Sequence, residues 1–168
     1  ERVLLGSPRV NAGHVDITPA GDLAVVSAPR DGIPLPNTQL GAVSLRPKGK
    51  SLRTLKEPQT VVSRMLGETL SVVINERDRV ALTTHPLGDC VSVWGLDDSR
   101  SLGTIELKGP RGVAMTLDRE WYLVSHFADK NVRLTALSAT DRAPTGFYVD
   151  PSFISGSHIF VHDLARAA

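Results

Sequence analysis

The clearest pattern along the chain is a set of four short apolar stretches within residues 67–107. In the first stretch, Leu70, Val72 and Ile74 recur at every second position, which is the period of a half-buried β-strand. The other three, which are rich in β-branched residues and separated by polar turns, are 80–84, 90–94 and 101–107. Four strands with tight turns in about 40 residues are typical of one blade of a β-propeller.

The same pattern occurs again on both sides of this unit. Downstream, a strand, a polar turn and a second strand begin at Gly112, and upstream the same arrangement begins at Gly13. Gly67, Gly112 and Gly156 are nearly evenly spaced, as repeat architecture requires. The sequence therefore predicts three four-stranded blade units, which cover residues 13–55, 67–107 and 112–149.

Both ends of the chain predict further strands. We interpret residues 1–10 as containing the outer strand of a preceding blade. The segment 156–164 has two interpretations. Its spacing from Gly112 predicts the inner first strand of a next blade, whereas its residue pattern resembles 90–96, a third strand. We favour a strand that closes a blade begun elsewhere in the ring.

The first unit is longer than the other two because it contains two insertions. Residues 29–37 include three prolines, which exclude a central strand and predict a projecting loop. Residues 46–66 begin with a basic hairpin, which we interpret as a solvated sheet edge protected by charge, with an anionic partner as the alternative. Within 57–66 the apolar period changes and predicts one short helical turn, with Thr60 as its N-cap.

Composition limits the classes of function. The chain has 19 basic and 18 acidic residues, so charge gives no global support for nucleic acid binding. No apolar run approaches the length of a membrane span, and no signal peptide is present. Cys90 is the single cysteine, which excludes an intramolecular disulfide and a cysteine-based metal cluster. We expect Cys90 to be a small apolar filler in a strand rather than a reactive thiol.

The predicted fold class is all-β, a β-propeller with WD40-like or YVTN-like blades. Three to three and a half blades in 168 residues cannot close a ring whose known forms begin near four blades. We therefore interpret the chain as part of a propeller. The remaining blades come either from the same polypeptide or from a second copy.

The candidate chemistry lies in loops that a propeller brings to one face. Loops that lead into first strands share a face with loops that follow second strands, and both sets carry charged residues and histidines. Superposition of the units by sequence places Ala28, His85 and His126 at one structural position. The candidate ligand-binding residues at this channel mouth are Arg9, His14, Glu68, His85, Arg111 and His126.

Three interpretations of these residues remain open. Histidine after a second strand often hydrogen-bonds a neighbouring blade, which is a purely structural role. Arginines in the set suit a bidentate anion site. Imidazole and carboxylate ligands suit a transition metal, for which the candidates are His14, Glu68, His85 and His126. The sequence contains none of the common hydrolase, P-loop, dinucleotide or adjacent metal-ligand motifs, and it requires no cofactor.

Several segments also resemble a known family. These are NAGHVD (11–16), QLGAV (39–43), GETLS (67–71), PRGVA (110–114) and DPSFISGSH (150–158). They resemble an uncharacterised family of exported bacterial seven-bladed β-propeller proteins, the domain-of-unknown-function family 1513. The resemblance implies a ring of about twice this length, of which this chain is the C-terminal half. It also implies export through a twin-arginine signal and genes beside those of periplasmic iron-uptake proteins, but no catalytic residues.

We therefore expect a non-enzymatic periplasmic binding or scaffold module, associated with iron uptake. The alternatives are a cytoplasmic location and a propeller enzyme whose channel mouth holds a metal for hydrolytic or redox chemistry. The expected partners are the remaining blades and periplasmic iron-uptake proteins. Stoichiometric metal bound through His14, Glu68, His85 or His126 would favour the enzyme.

Overall fold

The computed structural model describes residues 5, 9–30, 39–153, 156 and 158–163, and its regular structure is almost entirely β-strand. The first sheet contains β1 (His14–Ile17), β2 (Leu23–Ser27), β3 (Ala42–Arg46) and β4 (Arg53–Thr54). The second contains β5 (Val72–Asn75), β6 (Val80–His85), β7 (Cys90–Gly95) and β8 (Ser101–Glu106). The third contains β9 (Val113–Met115), β10 (Trp121–Ala128), β11 (Asn131–Ser138) and β12 (Pro144–Val149).

Each sheet is antiparallel, with its four strands side by side in chain order. In the second and third sheets this arrangement follows from the short connections, because a tight turn joins antiparallel neighbours. The turn between β1 and β2 places Gly21 at φ 99°, a conformation that glycine adopts without a Cβ penalty. The prediction of an all-β chain with three four-stranded antiparallel sheets is confirmed.

The apolar core consists of two clusters, each between neighbouring sheets. The cluster between the first and second sheets comprises Ala24, Val26, Val43, Leu45, Leu55, Val61, Met65, Val72, Ile74, Ala81, Trp94 and Leu96. The cluster between the second and third sheets comprises Val80, Leu82, Val91, Val93, Val113, Met115, Tyr122, Val124, Leu137 and Ala139. Alternate residues of β6 therefore face opposite neighbours, as the strand period predicts. The buried apolar strand residues of the second sheet include Val72, Ile74, Val80, Leu82, Val91 and Val93.

The first strands of the three sheets lie beside one another, since β1 contacts β5 and β5 contacts β9. Side chains of one first strand accept hydrogen bonds from the backbone of the next. Ile74 N–H donates to Asp16 Oδ2 (2.6 Å), and Val113 N–H donates to Ser71 Oγ (3.2 Å). These bonds satisfy N–H groups on strand edges that have no further strand to pair with.

The insertion in the first sheet reaches across to the second. It contains a short helix, α1 (Gln59–Val62), as predicted, but the N-cap is Pro58 and makes no side-chain cap bond, so the assignment of Thr60 was wrong. Beyond α1, Arg64 Nη2 donates to the Gly88 carbonyl (2.6 Å) and to Glu106 Oε2 (2.7 Å). Gly88 belongs to a 3-10 turn (Pro86–Gly88), and a Cβ there would overlap the Arg64 carbonyl oxygen.

An arginine joins the first two sheets at the end opposite the candidate site. Arg79 Nη1 donates to Asp22 Oδ2 and Arg79 Nη2 donates to Asp97 Oδ1, both at 2.6 Å. Asp22 is only 1% exposed, whereas Asp97 is 61% exposed. Hydrogen bonds from Arg79, from Lys48 N–H and from Thr18 lower the pKa of the Asp22 carboxyl to about 2 against the opposing effect of burial.

The two terminal strand predictions are not tested by the structure. Residues 1–4, 6–8 and 164–168 lie outside the described residues, as does 31–38, most of the predicted proline-rich loop. Residues 158–163 are described and form no strand in this chain. No helix among the described residues is long and apolar enough to cross a membrane.

Candidate functional site

The candidate residues lie at one end of the sheets, where first strands begin and second strands end. Two hydrogen bonds place these loops together. Thr69 N–H donates to the Ser27 carbonyl (3.1 Å), and Thr84 Oγ1 donates to the Arg111 carbonyl (2.6 Å). Each contact joins the start of one first strand to the end of a second strand in another sheet. The candidate side chains nevertheless point in different directions.

His85 is fully buried between the first and second sheets. Its Nε2 lies 2.7 Å from Ser92 Oγ and 3.1 Å from Thr83 Oγ1, and its Nδ1 lies 3.3 Å from Thr69 Oγ1. Ser92 Oγ also accepts a hydrogen bond from Trp94 Nε1 (2.6 Å). Burial and, to a smaller extent, Arg64 lower the pKa of His85 to about 3, so the ring is neutral. The geometry therefore gives His85 a structural role inside an inter-sheet network.

His126 repeats this arrangement in the third sheet. Its Nε2 lies 2.8 Å from Thr135 Oγ1, and its Nδ1 donates to the Phe127 carbonyl (3.0 Å). Thr135 holds the same register position relative to His126 as Ser92 holds to His85, two residues beyond the paired residue. Desolvation lowers the pKa of His126, which is 7% exposed. Both histidines thus point between sheets and away from the edge of the first strands.

The equivalent residue in the first sheet is Ser27, and the alignment with Ala28 was wrong by one position. The backbone hydrogen bonds show this. Gly13 N–H donates to the Val26 carbonyl, and the equivalent bond in the third sheet runs from Arg111 N–H to the Ser125 carbonyl. The next residues are Ser27 and His126 respectively. Ser27 Oγ is buried and has no hydrogen-bond partner among the described residues. The sequence alignment failed there because serine gave no visible match to histidine.

His14 is the candidate that faces the first strand of the neighbouring sheet, β5. It lies on β1, and its Nδ1 accepts a hydrogen bond from Val72 N–H on β5 (3.3 Å), with Ser71 Oγ also within 3.2 Å. An Nδ1 that accepts from an amide has no proton, so the neutral ring carries its proton on Nε2. Burial first, and then the neighbouring His158, lower the pKa of His14 against the opposing effect of Asp16.

The three remaining candidates lie in segments next to the same ends of the strands. Arg9 is exposed, and its carbonyl accepts from Arg30 N–H (2.8 Å). Glu68 and Arg111 are half-buried in the segments that precede β5 and β9. Over the described ranges, no three or more histidine, cysteine, aspartate or glutamate side chains come together in a way that could hold a metal ion. Cys90 is buried, and burial raises the pKa of its thiol to about 11.

A cavity of about 260 Å³ lies among the first strands and the turns that follow them. Its lining combines charged and apolar groups, among them Asp16, Ile74, Glu76, Met115, Arg119 and Val161. The mixed lining is suited to a small polar molecule or to ordered water. The sequence did not predict this cavity, because its residues come from three sheets and from the chain's C-terminal segment.

The C-terminal segment 158–163, which we call the strap, lies against the first strands. The His158 ring packs on the His14 ring with centroids 4.3 Å apart, and Phe160 lies 6.5 Å from His14. Ile159 packs so closely on Gly112 that a Cβ there would lie 2.7 Å from Ile159 Cγ1. These contacts were not foreseen, because no local period links the strap to Gly112, 47 positions before Ile159, or to His14, 144 positions before His158.

A family model described as Protein of unknown function (DUF1513) matches residues 6–154. A search of curated proteins finds no match to the chain.

Proposed function

The chain belongs to the family described as Protein of unknown function (DUF1513), and from that premise we propose that it is part of a β-propeller acting as a non-enzymatic binding or scaffold module. The repeated packing of its sheets carries the proposal. The first strands lie side by side, and each apolar cluster joins one face of a sheet to the opposite face of the next. Propeller blades stack around a channel in this sense.

Two sheet faces support the idea that more blades complete the ring. On the first sheet, Val15 and Ile17 are 47% and 61% exposed. On the third, one face carries a set of partly or fully exposed apolar residues, here called the open face: Trp121, Leu123, Leu134, Ala136, Phe147 and Val149. Leu123 and Ala136 of this face correspond in register to Leu82 and Val93, which are buried against the third sheet.

We propose that further blades of the same polypeptide cover both faces and complete a seven-bladed ring. The insertions support one long chain over two identical copies, because they make the sheets unequal. Electron microscopy of the full-length protein tests this proposal through class averages viewed along the channel. We expect a closed ring of seven blades. An open or elongated particle, or a ring built from two copies, would contradict it.

Metal analysis tests the binding or scaffold role against a metal-dependent enzyme. The purified full-length protein should contain less than stoichiometric transition metal, and His14→Gln should leave that content unchanged. One equivalent of metal that is lost in His14→Gln or Glu68→Gln would replace this proposal with the enzyme. His126→Gln provides a control, because His126 is held inside a sheet interface.

A periplasmic location and an association with iron-uptake proteins form the last part of the proposal, and both rest on the family resemblance. Fractionation of cells that express the full-length protein tests the location. We expect the protein in the periplasmic fraction, where affinity purification should recover iron-uptake proteins. Recovery in the cytoplasm would overturn this part and leave the fold proposal unaffected.

A further inference from the structure

The strap covers one side of the cavity and rests on two first strands. Val161 lines the cavity together with residues of β1, β5 and the β9–β10 turn. At the other end of the strap, His158 packs edge-on against His14, and Ile159 packs on Gly112. Ile159 and Val161 are half-buried, whereas His158 and Phe160 are exposed. Within the described part of the chain, residues 158–163 pair with no strand, so the strap lacks the ladder of hydrogen bonds that holds a strand.

The hydrogen bond between β5 and His14 depends on an uncharged imidazole. Val72 N–H donates to His14 Nδ1, and a protonated ring would present an N–H to that donor instead of a lone pair. Asp16 on the same strand and His158 on the strap are the charged groups that act on this ring. Among the described contacts, β5 presents to it the Ser71 hydroxyl and the Val72 amide. A protonated His14 could therefore no longer accept from Val72 N–H, and the neighbouring His158 disfavours the charged form of the His14 ring.

We propose that the strap is a pH-sensitive cover of the cavity, docked while His14 is neutral and released when His14 takes up a proton. The device is independent of whether the sheets belong to a propeller. Its direction follows from linkage. Burial and His158 lower the pKa of His14 in the docked state, so the released state binds the proton more tightly. Docking is complete above the ordinary histidine pKa of about 6.5 and weakens as the pH falls below it.

Methyl NMR of the full-length protein tests the proposal between pH 8 and pH 5.5. The readouts are the contact between the Ile159 methyl groups and Gly112 Hα, and the solvent paramagnetic relaxation of the Ile159 and Val161 methyl groups. On acidification we expect the contact to weaken and the relaxation to rise several-fold, with the same midpoint as the His14 ring. The Leu82 methyl signals should stay constant, because Leu82 lies in the core.

Three variants separate this device from general acid unfolding. His14→Gln can still accept from Val72 N–H through its amide oxygen but cannot take up a proton, so its strap should stay docked at pH 5.5. His158→Gln removes the neighbouring imidazole that lowers the pKa of His14, so it should move that pKa upward. His162→Gln is the matched control, because His162 contacts Phe160 and not His14.

Two results would overturn the proposal. One is a strap that stays docked while His14 titrates in the unmodified protein. The other is release at the same pH in His14→Gln. If His14→Gln does not fold, an unchanged His14 pKa in His158→Gln overturns the proposal equally, because the two rings would then not be coupled.

Discussion

Replacing Asp22 by asparagine should remove one of the strongest polar links between the first and second sheets. The carboxylate is almost fully buried and accepts hydrogen bonds from Arg79, from Thr18 and from the Lys48 backbone. Its pKa falls from 3.8 to about 2, and each pKa unit corresponds to about 1.4 kcal/mol. We therefore expect Asp22→Asn to lower the free energy of unfolding at pH 7 by about 2 kcal/mol.

The pH dependence gives a second, independent prediction for this variant. A carboxyl whose pKa is depressed by folding stabilises the folded state above its unfolded pKa, near 3.8, and loses that contribution as the pH falls through about 2. The unmodified protein should thus lose stability between about pH 5 and pH 2. Asp22→Asn lacks this titration, so the difference between the two proteins should shrink toward zero as the pH falls.

Urea unfolding followed by tryptophan fluorescence measures both effects, since Trp94 lies in the core cluster between these two sheets. Asp97→Asn is the matched control, because Asp97 binds the same arginine but is 61% exposed. An exposed ion pair is worth about 0–1 kcal/mol. A constant difference from pH 7 to pH 2, or an equal loss in Asp97→Asn, would refute the reasoning.

Three further predictions concern packing and reactivity. Leu82→Ala should lower the free energy of unfolding in urea by about 2–5 kcal/mol, because Leu82 is fully buried. Leu102 is 50% exposed, so Leu102→Ala should lower it by less than about 0.5 kcal/mol. Gly88→Ala should cost about 1–3 kcal/mol and raise hydrogen exchange in α1, because the new Cβ meets the Arg64 carbonyl; normal exchange would contradict this. Cys90 should react with a thiol reagent at pH 8 only as fast as the protein unfolds; rapid modification of the folded protein would contradict its burial and raised pKa.

The sheets could be predicted from the sequence because the strand period is local. Leu70, Val72 and Ile74 repeat with a period that sterics and solvent enforce without reference to distant residues. Tight turns then fix which strands are neighbours. The short helix could be predicted for the same reason, because its apolar period is local. Its N-cap could not, because the hydroxyl of Thr60 suggested a cap, whereas the helix begins after Pro58, whose ring fixes φ.

The candidate site was harder because a side chain's direction depends on register. His85 and His126 do occupy equivalent positions, yet a shift of one residue decides between the inter-sheet face and the opposite one. The sequence also could not show that the strap would lie against His14. That contact joins residues 144 positions apart, and no local period encodes it.

The open face leads to the last prediction, that this chain on its own self-associates. Its residues Leu123 and Ala136 correspond in register to Leu82 and Val93, which are buried against the third sheet, so water contacts them where a neighbouring sheet is expected. Burial of apolar surface is worth about 25 cal/mol per Å², and a stable interface buries about 800 Å² on each partner. A whole sheet face can supply an area of that order.

Light scattering at increasing concentration tests whether the open face is responsible for self-association. Phe147→Asp changes a residue that is 67% exposed, so it should reduce association without lowering the unfolding free energy by more than about 0.5 kcal/mol. Leu87→Asp is the matched control, because Leu87 is 50% exposed in the 3-10 turn of another sheet and should leave association unchanged. A monodisperse monomer of the unmodified chain at high concentration would mean that the open face tolerates water. The case for a missing neighbouring sheet would then fail, because a face that is stable in water needs no partner.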